Sequence, residues 1–228
     1  ATTTEAWASP PVYTGVSPVY LSRIDDGHEP DLPQGTEISV RVFDASAVPV
    51  LVETVSGEAF AFNDQGAGVY DATFVLKQTG SVEVLIDEQQ TQSWKLTMIA
   101  DDPPAISFLS EPTADGRGAV SFRFEATDDY GVSFADGSVR LDEEAEPPLP
   151  GLSVATVVDE LELELPLPLT GDNKLVAEQF QEDLAHHPFA GLPVIVTLNA
   201  HDAAGQVGST ELRTIMPARR FTHPMARA

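Results

Sequence analysis

The 228-residue chain contains no cysteine, which excludes disulfides, thiolate zinc sites and cysteine nucleophiles while leaving the compartment open. Basic residues are scarce: Lys and Arg number 12 against 36 Asp and Glu, for a formal net charge of -24. Phosphate backbones and anionic lipid surfaces should therefore repel it at neutral pH, so no nucleic-acid partner is expected. No apolar run approaches the ~20 residues needed to span a bilayer, and no charged-then-apolar signal segment opens the chain. Membrane attachment is expected only through flanking segments. The chain starts at Ala1 without methionine and stops at Ala228 just after Arg219, Arg220 and Arg227, which reads as an excised portion of something longer. There is no GxSxG, HExxH or phosphate-binding glycine loop, and the expectation is a non-enzyme without a cofactor.

What is present is folded and β-rich. Hydrophobic residues make up 42% of the chain, against disorder, and the acidity falls in short clusters such as Asp142, Glu143, Glu144 and Glu146. The organising stretch is Ile99 to Ile106. Pro103 and Pro104 cannot donate backbone hydrogen bonds, and Asp101 and Asp102 favour turns, so it reads as a stiff joint between domains. Before it, Ile38, Val40 and Val42 alternate with Glu37, Ser39 and Arg41, and the same period of two recurs through Ala72 and Phe74, Val82 to Ile86, and Trp94 to Met98. After it, Val120, Phe122, Phe124 and Ala126 alternate with Ser121, Arg123 and Glu125. Further strands are expected at Val139 and Leu141 after an Asp136-Gly137 turn, at Leu152 to Val158, at Leu161 to Leu165, and at Pro193 to His201 and Gly208 to Met216.

The opening segment, with Pro10, Pro11 and Pro18, suits an edge strand or an extended arm. One segment breaks the β pattern: Asp172 could cap a helix whose apolar positions Val176, Phe180 and Leu184 lie four residues apart, so Leu175 to His186 is expected to be helical. Short strands joined by tight turns favour sandwiches over a parallel sheet. The fold class is therefore all-β: two tandem immunoglobulin-like β-sandwich domains, 1–101 and 102–217, with one short helix in the second. Residues 218–228 form a C-terminal segment leading to further sequence.

Candidate sites are few. Asp128 and Asp129 follow the second strand of the second module, and Asp202 follows its sixth. In an immunoglobulin-like sandwich these loops share a pole, where three carboxylates could hold calcium. The alternative is that each aspartate caps a turn, and no dense calcium-loop motif is present. Asp101 and Asp102 invite the same thought at the joint, although proline already supplies stiffness there. His186, His187 and His201 could be proposed as a metal cluster, yet the first two suit a helix C-terminus. Trp7, Tyr13, Tyr20 and Trp94 could form a sugar-stacking surface, although Trp94 alternates inward with Leu96 and Met98.

Six ordered motifs, AWASPPVYTG (Ala6 to Gly15), DDPPAI (Asp101 to Ile106), ATDDYGV (Ala126 to Val132), DLAHHPFAGLPV (Asp183 to Val194), DAAGQVG (Asp202 to Gly208) and RRFTHPMARA (Arg219 to Ala228), are distributed along nearly the whole chain. The combination resembles an uncharacterised family of long alphaproteobacterial membrane proteins with N-terminal transmembrane helices and a Gln- and Gly-rich C-terminal region. The resemblance implies a segment held on the extracytoplasmic, periplasmic side of the inner membrane, and it implies no activity. One departure is His186-His187-Pro188-Phe189, which stands where the family would show a single histidine, then proline and tryptophan. DDYGV and DAAGQVG also look like loops of bacterial immunoglobulin-like domains. The resulting expectation is a structural or protein-interaction module with an envelope protein as partner; the alternative is a calcium- or glycan-binding module.

Overall fold

The computed structural model describes residues 2–23, 29–115, 118–145, 160–184 and 186–218, and the chain divides into two compact units, Ala1–Asp101 and Asp102–Ala228. Among the described residues all regular structure is strand, apart from three-residue 3-10 turns at Val12–Thr14 and Leu21–Arg23. No described helix is long and apolar enough to cross a membrane.

The first unit holds β1 (Thr3–Ser9), β2 (Val19–Tyr20), β3 (Asp31–Pro33), β4 (Glu37–Phe43), β5 (Val50–Glu53), β6 (Ala59–Ala61), β7 (Asn63–Gly66), β8 (Val69–Val75), β9 (Gly80–Ile86) and β10 (Gln89–Ile99). They form two five-stranded sheets, ordered β2-β1-β4-β8-β7 and β3-β10-β9-β5-β6. The alternating residues of both sheets meet in one core, where Ile38, Val40 and Val42 are buried with Val82, Val84, Ile86, Trp94 and Leu96. The opening segment does supply an edge strand, though through β2 and not through β1. β1 pairs antiparallel with β4 along all seven of its residues, Thr3 to Ser9, and the two-residue β2 takes the edge. The prolines fall after β1 has ended, so they do not interrupt its ladder.

Where β5 ends, Glu53 is buried, and its carboxylate organises the turn that follows. It accepts hydrogen bonds from the Val55 N–H at 2.9 Å, the Ser56 N–H at 3.0 Å, Gln78 Nε2 at 2.8 Å and the Ser56 hydroxyl. Burial acts to raise its pKa. The hydrogen bonds from the Ser56 hydroxyl, the Val55 N–H, Gln78 and the Ser56 N–H together outweigh that and hold it below the ordinary value. A carboxylate with a depressed folded-state pKa stabilises the fold above its unfolded pKa, about 4.3, and loses that contribution as pH falls through the folded value. Glu53→Gln is thus expected to lower the melting temperature at pH 7, with the gap to wild type closing in acid below about pH 4. A gap that is independent of pH in calorimetric scans would refute this.

The second unit holds β11 (Ala105–Phe108), β12 (Thr113–Ala114), β13 (Ala119–Thr127), β14 (Phe134–Leu141), β15 (Leu161–Glu164), β16 (Leu175–Asp183), β17 (Pro193–His201) and β18 (Val207–Ile215). In one sheet β13 is flanked by β11 and β12 and also pairs with β16; the other sheet runs β15-β14-β17-β18. Their inward residues share a core that includes Phe124, Val139, Leu163, Phe180, Val196 and Leu198.

The segment expected to be helical is β16, a nine-residue strand in antiparallel register with the whole of β13. A spacing of four residues lies on one face of a helix, but it is also a multiple of two and so lies on one face of a strand. Val176 and Phe180 fit both periods. Pairing with β13 selects the strand: Val176 stands opposite Ala126, and Phe180 opposite Phe122, with ring centroids 4.9 Å apart. Asp172 closes a local turn, accepting from the Lys174 N–H at 3.2 Å, and caps no helix. A second correction concerns Asp136-Gly137, which lies inside β14 and is no turn. A Cβ on Gly137 would sit 2.6 Å from the Thr197 carbonyl oxygen, so the glycine marks a close strand approach. The strand expected at Leu152 to Val158 lies outside the described residues.

Because Phe180 is almost fully buried against Phe122, Phe180→Ala is expected to cost about 3–5 kcal/mol of stability in urea unfolding. Loss of less than about 1 kcal/mol would show that β16 is not packed as described.

Candidate functional site

The acidic pole is built by the turn from β13 to β14. Asp128 is buried, and its Oδ2 accepts from the Tyr130 N–H at 3.0 Å and the Gly131 N–H at 2.6 Å. Gly131 has φ +112, and a Cβ there would lie 2.1 Å from the Asp172 carbonyl oxygen, so the turn packs directly on the segment leading into β16. The Asp128 N–H donates to the Lys174 carbonyl at 3.1 Å and the Val132 N–H to the Asn173 carbonyl at 3.0 Å, while Lys174 Nζ stands over the Tyr130 ring. On the other side the Ser133 hydroxyl donates to the His201 and Asp202 carbonyls. The loops after β13 and β17 therefore do meet at one end. The GDNK segment, Gly171 to Lys174, is a third wall that sequence reasoning missed because those residues had been assigned to a helix cap.

Asp202 is buried like Asp128, and its Oδ1 accepts from the Gln206 N–H at 2.7 Å, closing the β17–β18 turn. Asp129 is exposed. Among the described residues no group of three or more His, Asp or Glu side chains is gathered so as to hold a metal ion. Each aspartate caps a turn with one oxygen, while Asp128 Oδ1 and Asp202 Oδ2 are buried without a hydrogen-bonding partner among the described residues.

The three histidines take separate local roles. His187 Nδ1 accepts from the Phe189 N–H at 3.3 Å and its ring meets Phe189 edge-on, His186 is exposed, and His201 Nε2 lies 2.9 Å from Asp136 Oδ2. That last contact belongs to a network on the outer face of the β15-β14-β17-β18 sheet. Asn199 Nδ2 donates to Asp136 Oδ1 at 2.7 Å, the Ser209 hydroxyl donates to Asn199 Oδ1 at 2.7 Å, and the half-exposed Phe134 packs on His201 at 5.4 Å. The serine is bonded to an amide and not to the imidazole, so the geometry is not that of a nucleophile activated by histidine. Only the cross-strand register aligns these residues, and register is poorly legible in a single sequence.

Of the four aromatics considered for sugar stacking, Trp94 is in the core and the Tyr13 hydroxyl donates to Asp101 Oδ2 at 2.7 Å. Trp7 and Tyr20 stand directly opposite on β1 and β2, with Arg41 over the former and Arg23 over the latter.

The second unit also carries an open groove of about 1100 Å³, walled by β14, β15 and β16. Asp136, Glu160, Glu162, Glu164 and Glu182 line it together with Phe180, and no Lys or Arg is among its described lining residues. The glutamates of β15 were legible as an acidic strand face; that β16 would complete a groove with them was not, because β16 had been read as a helix.

These features describe an acidic all-β protein of two units with carboxylate-capped turns and an acidic groove. Residues 1–228 match the family described as a domain of unknown function, DUF4175, and the chain belongs to that family. No curated protein matches it.

If the pole aspartates act as turn caps, Asp128→Ala should destabilise the fold by about 1–3 kcal/mol, and calcium and magnesium at equal ionic strength should shift the melting temperature equally. A calcium-selective rise that disappears in Asp129→Asn and Asp202→Asn would instead establish a cation site.

Proposed function

We propose that the chain is a non-enzymatic, extracytoplasmic module of a membrane-anchored envelope protein, made of two immunoglobulin-like β-sandwiches that dock a basic protein partner through strand edges and loop ends. The observation that carries this reading is the combination of paired sheets around separate cores with a net charge of -24 and a groove lined by carboxylates. An acidic surface accelerates encounter with basic surfaces and discriminates against nucleic acid and anionic lipid. Attachment to the inner membrane would come from segments flanking this sequence, consistent with the absence of a membrane-crossing helix among the described residues.

The test is a pull-down with the immobilised chain from an envelope extract at low and high salt, together with protease accessibility of the native protein in spheroplasts. A protein retained at low salt and released at high salt, and cleavage from the outer side, are expected. Recovery of nucleic acid, tight binding to anionic vesicles without divalent ions, or protection from external protease would overturn the proposal.

A further inference from the structure

A sheet edge exposes unpaired N–H and C=O groups, and proteins ordinarily blunt such edges with short strands or cover them. In the first unit the outermost strands β2, β7, β3 and β6 have only two, four, three and three residues, although β3 covers just Thr97 to Ile99 of the eleven-residue β10. In the second unit the nine-residue β18 is an edge by pairing, but β11 runs beside it, and a Cβ on Gly208 would lie 1.7 Å from the Pro104 carbonyl oxygen. β16 is different. It has nine residues, pairs with β13 alone, and no described strand covers its other side. Its length corresponds to about 30 Å of ladder.

We propose that β16 is a docking edge for an extended, lysine- or arginine-rich peptide segment of a partner protein, added as a further strand over the acidic groove. This rests on the interaction-module reading and gives it a location. Charge selects the occupant. An incoming strand lies against Glu178 and Glu182 of β16 while Glu160, Glu162 and Glu164 line the facing wall, and among the described residues no basic side chain pairs with these three. Glu178, Glu182 and Asp183 on the edge itself would repel a second β16, so a copy of this chain is disfavoured. The half-exposed Phe134 gives the groove an apolar surface for the aliphatic stems of Lys or Arg. Backbone pairing would supply affinity, and alternate side chains specificity.

The probe is a fluorescein-labelled peptide of about eight residues alternating Lys and Thr, followed by anisotropy with the whole 228-residue chain at low salt. A second peptide of the same sequence carries N-methyl groups on alternate amides, which keeps its charge and removes its ladder donors. Binding is expected to weaken about tenfold with the N-methylated peptide, about tenfold in Glu160→Gln/Glu162→Gln/Glu164→Gln, and less than about twofold in the equally neutralised Glu37→Gln/Glu58→Gln/Glu88→Gln. Equal weakening in both triple variants would reduce the effect to diffuse attraction and overturn the proposal, as would undiminished binding of the N-methylated peptide or no binding at all. Concentration-dependent dimerisation lost in the groove variant would make a second copy the occupant. Tighter peptide binding by Arg219→Gln/Arg220→Gln would make it the chain's own C-terminal segment. Either result overturns the proposal. If a salt-sensitive envelope partner is retained by the groove variant, the interaction-module reading stands and the β16 edge falls.

Discussion

The second unit depends on the antiparallel pairing of β13 with β16. Nine residue pairs, from Ala119 with Asp183 to Thr127 with Leu175, run the full length of both strands, and the Phe122–Phe180 stack sits in their middle. One end of this pairing delivers Lys174 and Asn173 to the turn after β13, where they accept the backbone donors of Asp128 and Val132. The rest of it presents, beside the groove, an edge that no described strand covers. A unit without disulfides must obtain its cohesion from such cross-strand burial, and removing one ring of the stack leaves a cavity that the surrounding strands cannot fill.

Much of the fold was legible because period-two alternation is an unambiguous signal when polar and apolar residues strictly exchange. Val120 to Ala126 and Ile38 to Val42 announce both strand and buried face, and both faces are buried as the alternation requires. Leu175 to Asp183 was misread because its two buried residues, Val176 and Phe180, are four apart, a spacing that fits both periods, while glutamates occupy the intervening inward positions at 178 and 182. Asp136-Gly137 was misread for a different reason. Local chemistry favours a turn, but the glycine is demanded by the Thr197 carbonyl of the neighbouring strand, a contact that no local rule contains.

The site followed the same division. That Asp128 and Asp202 close turns could be expected from their positions three residues before Gly131 and Gly205, and the backbone donors they bind are within four residues in sequence. Which residues meet across strands could not. Asp136, Asn199, His201 and Ser209 form a connected network although they are spread along the chain from 136 to 209. Likewise the carboxylates of the groove come from β14, from β15 and the residue before it, and from β16 of the other sheet, so their proximity depends on strand order and on how the two sheets pack.

The covered edge of β18 has a consequence for valency. A β unit with two long open edges can accept one strand and offer another, and repetition of that contact gives a filament that never closes. Here β11 and the approach of Pro104 to Gly208 cover the start of β18, and among the described residues the outer edges of β15 and β16 flank the same groove. On the proposed docking at β16, a strand seated between these two edges would occupy both at once, which favours a defined stoichiometry over polymer growth.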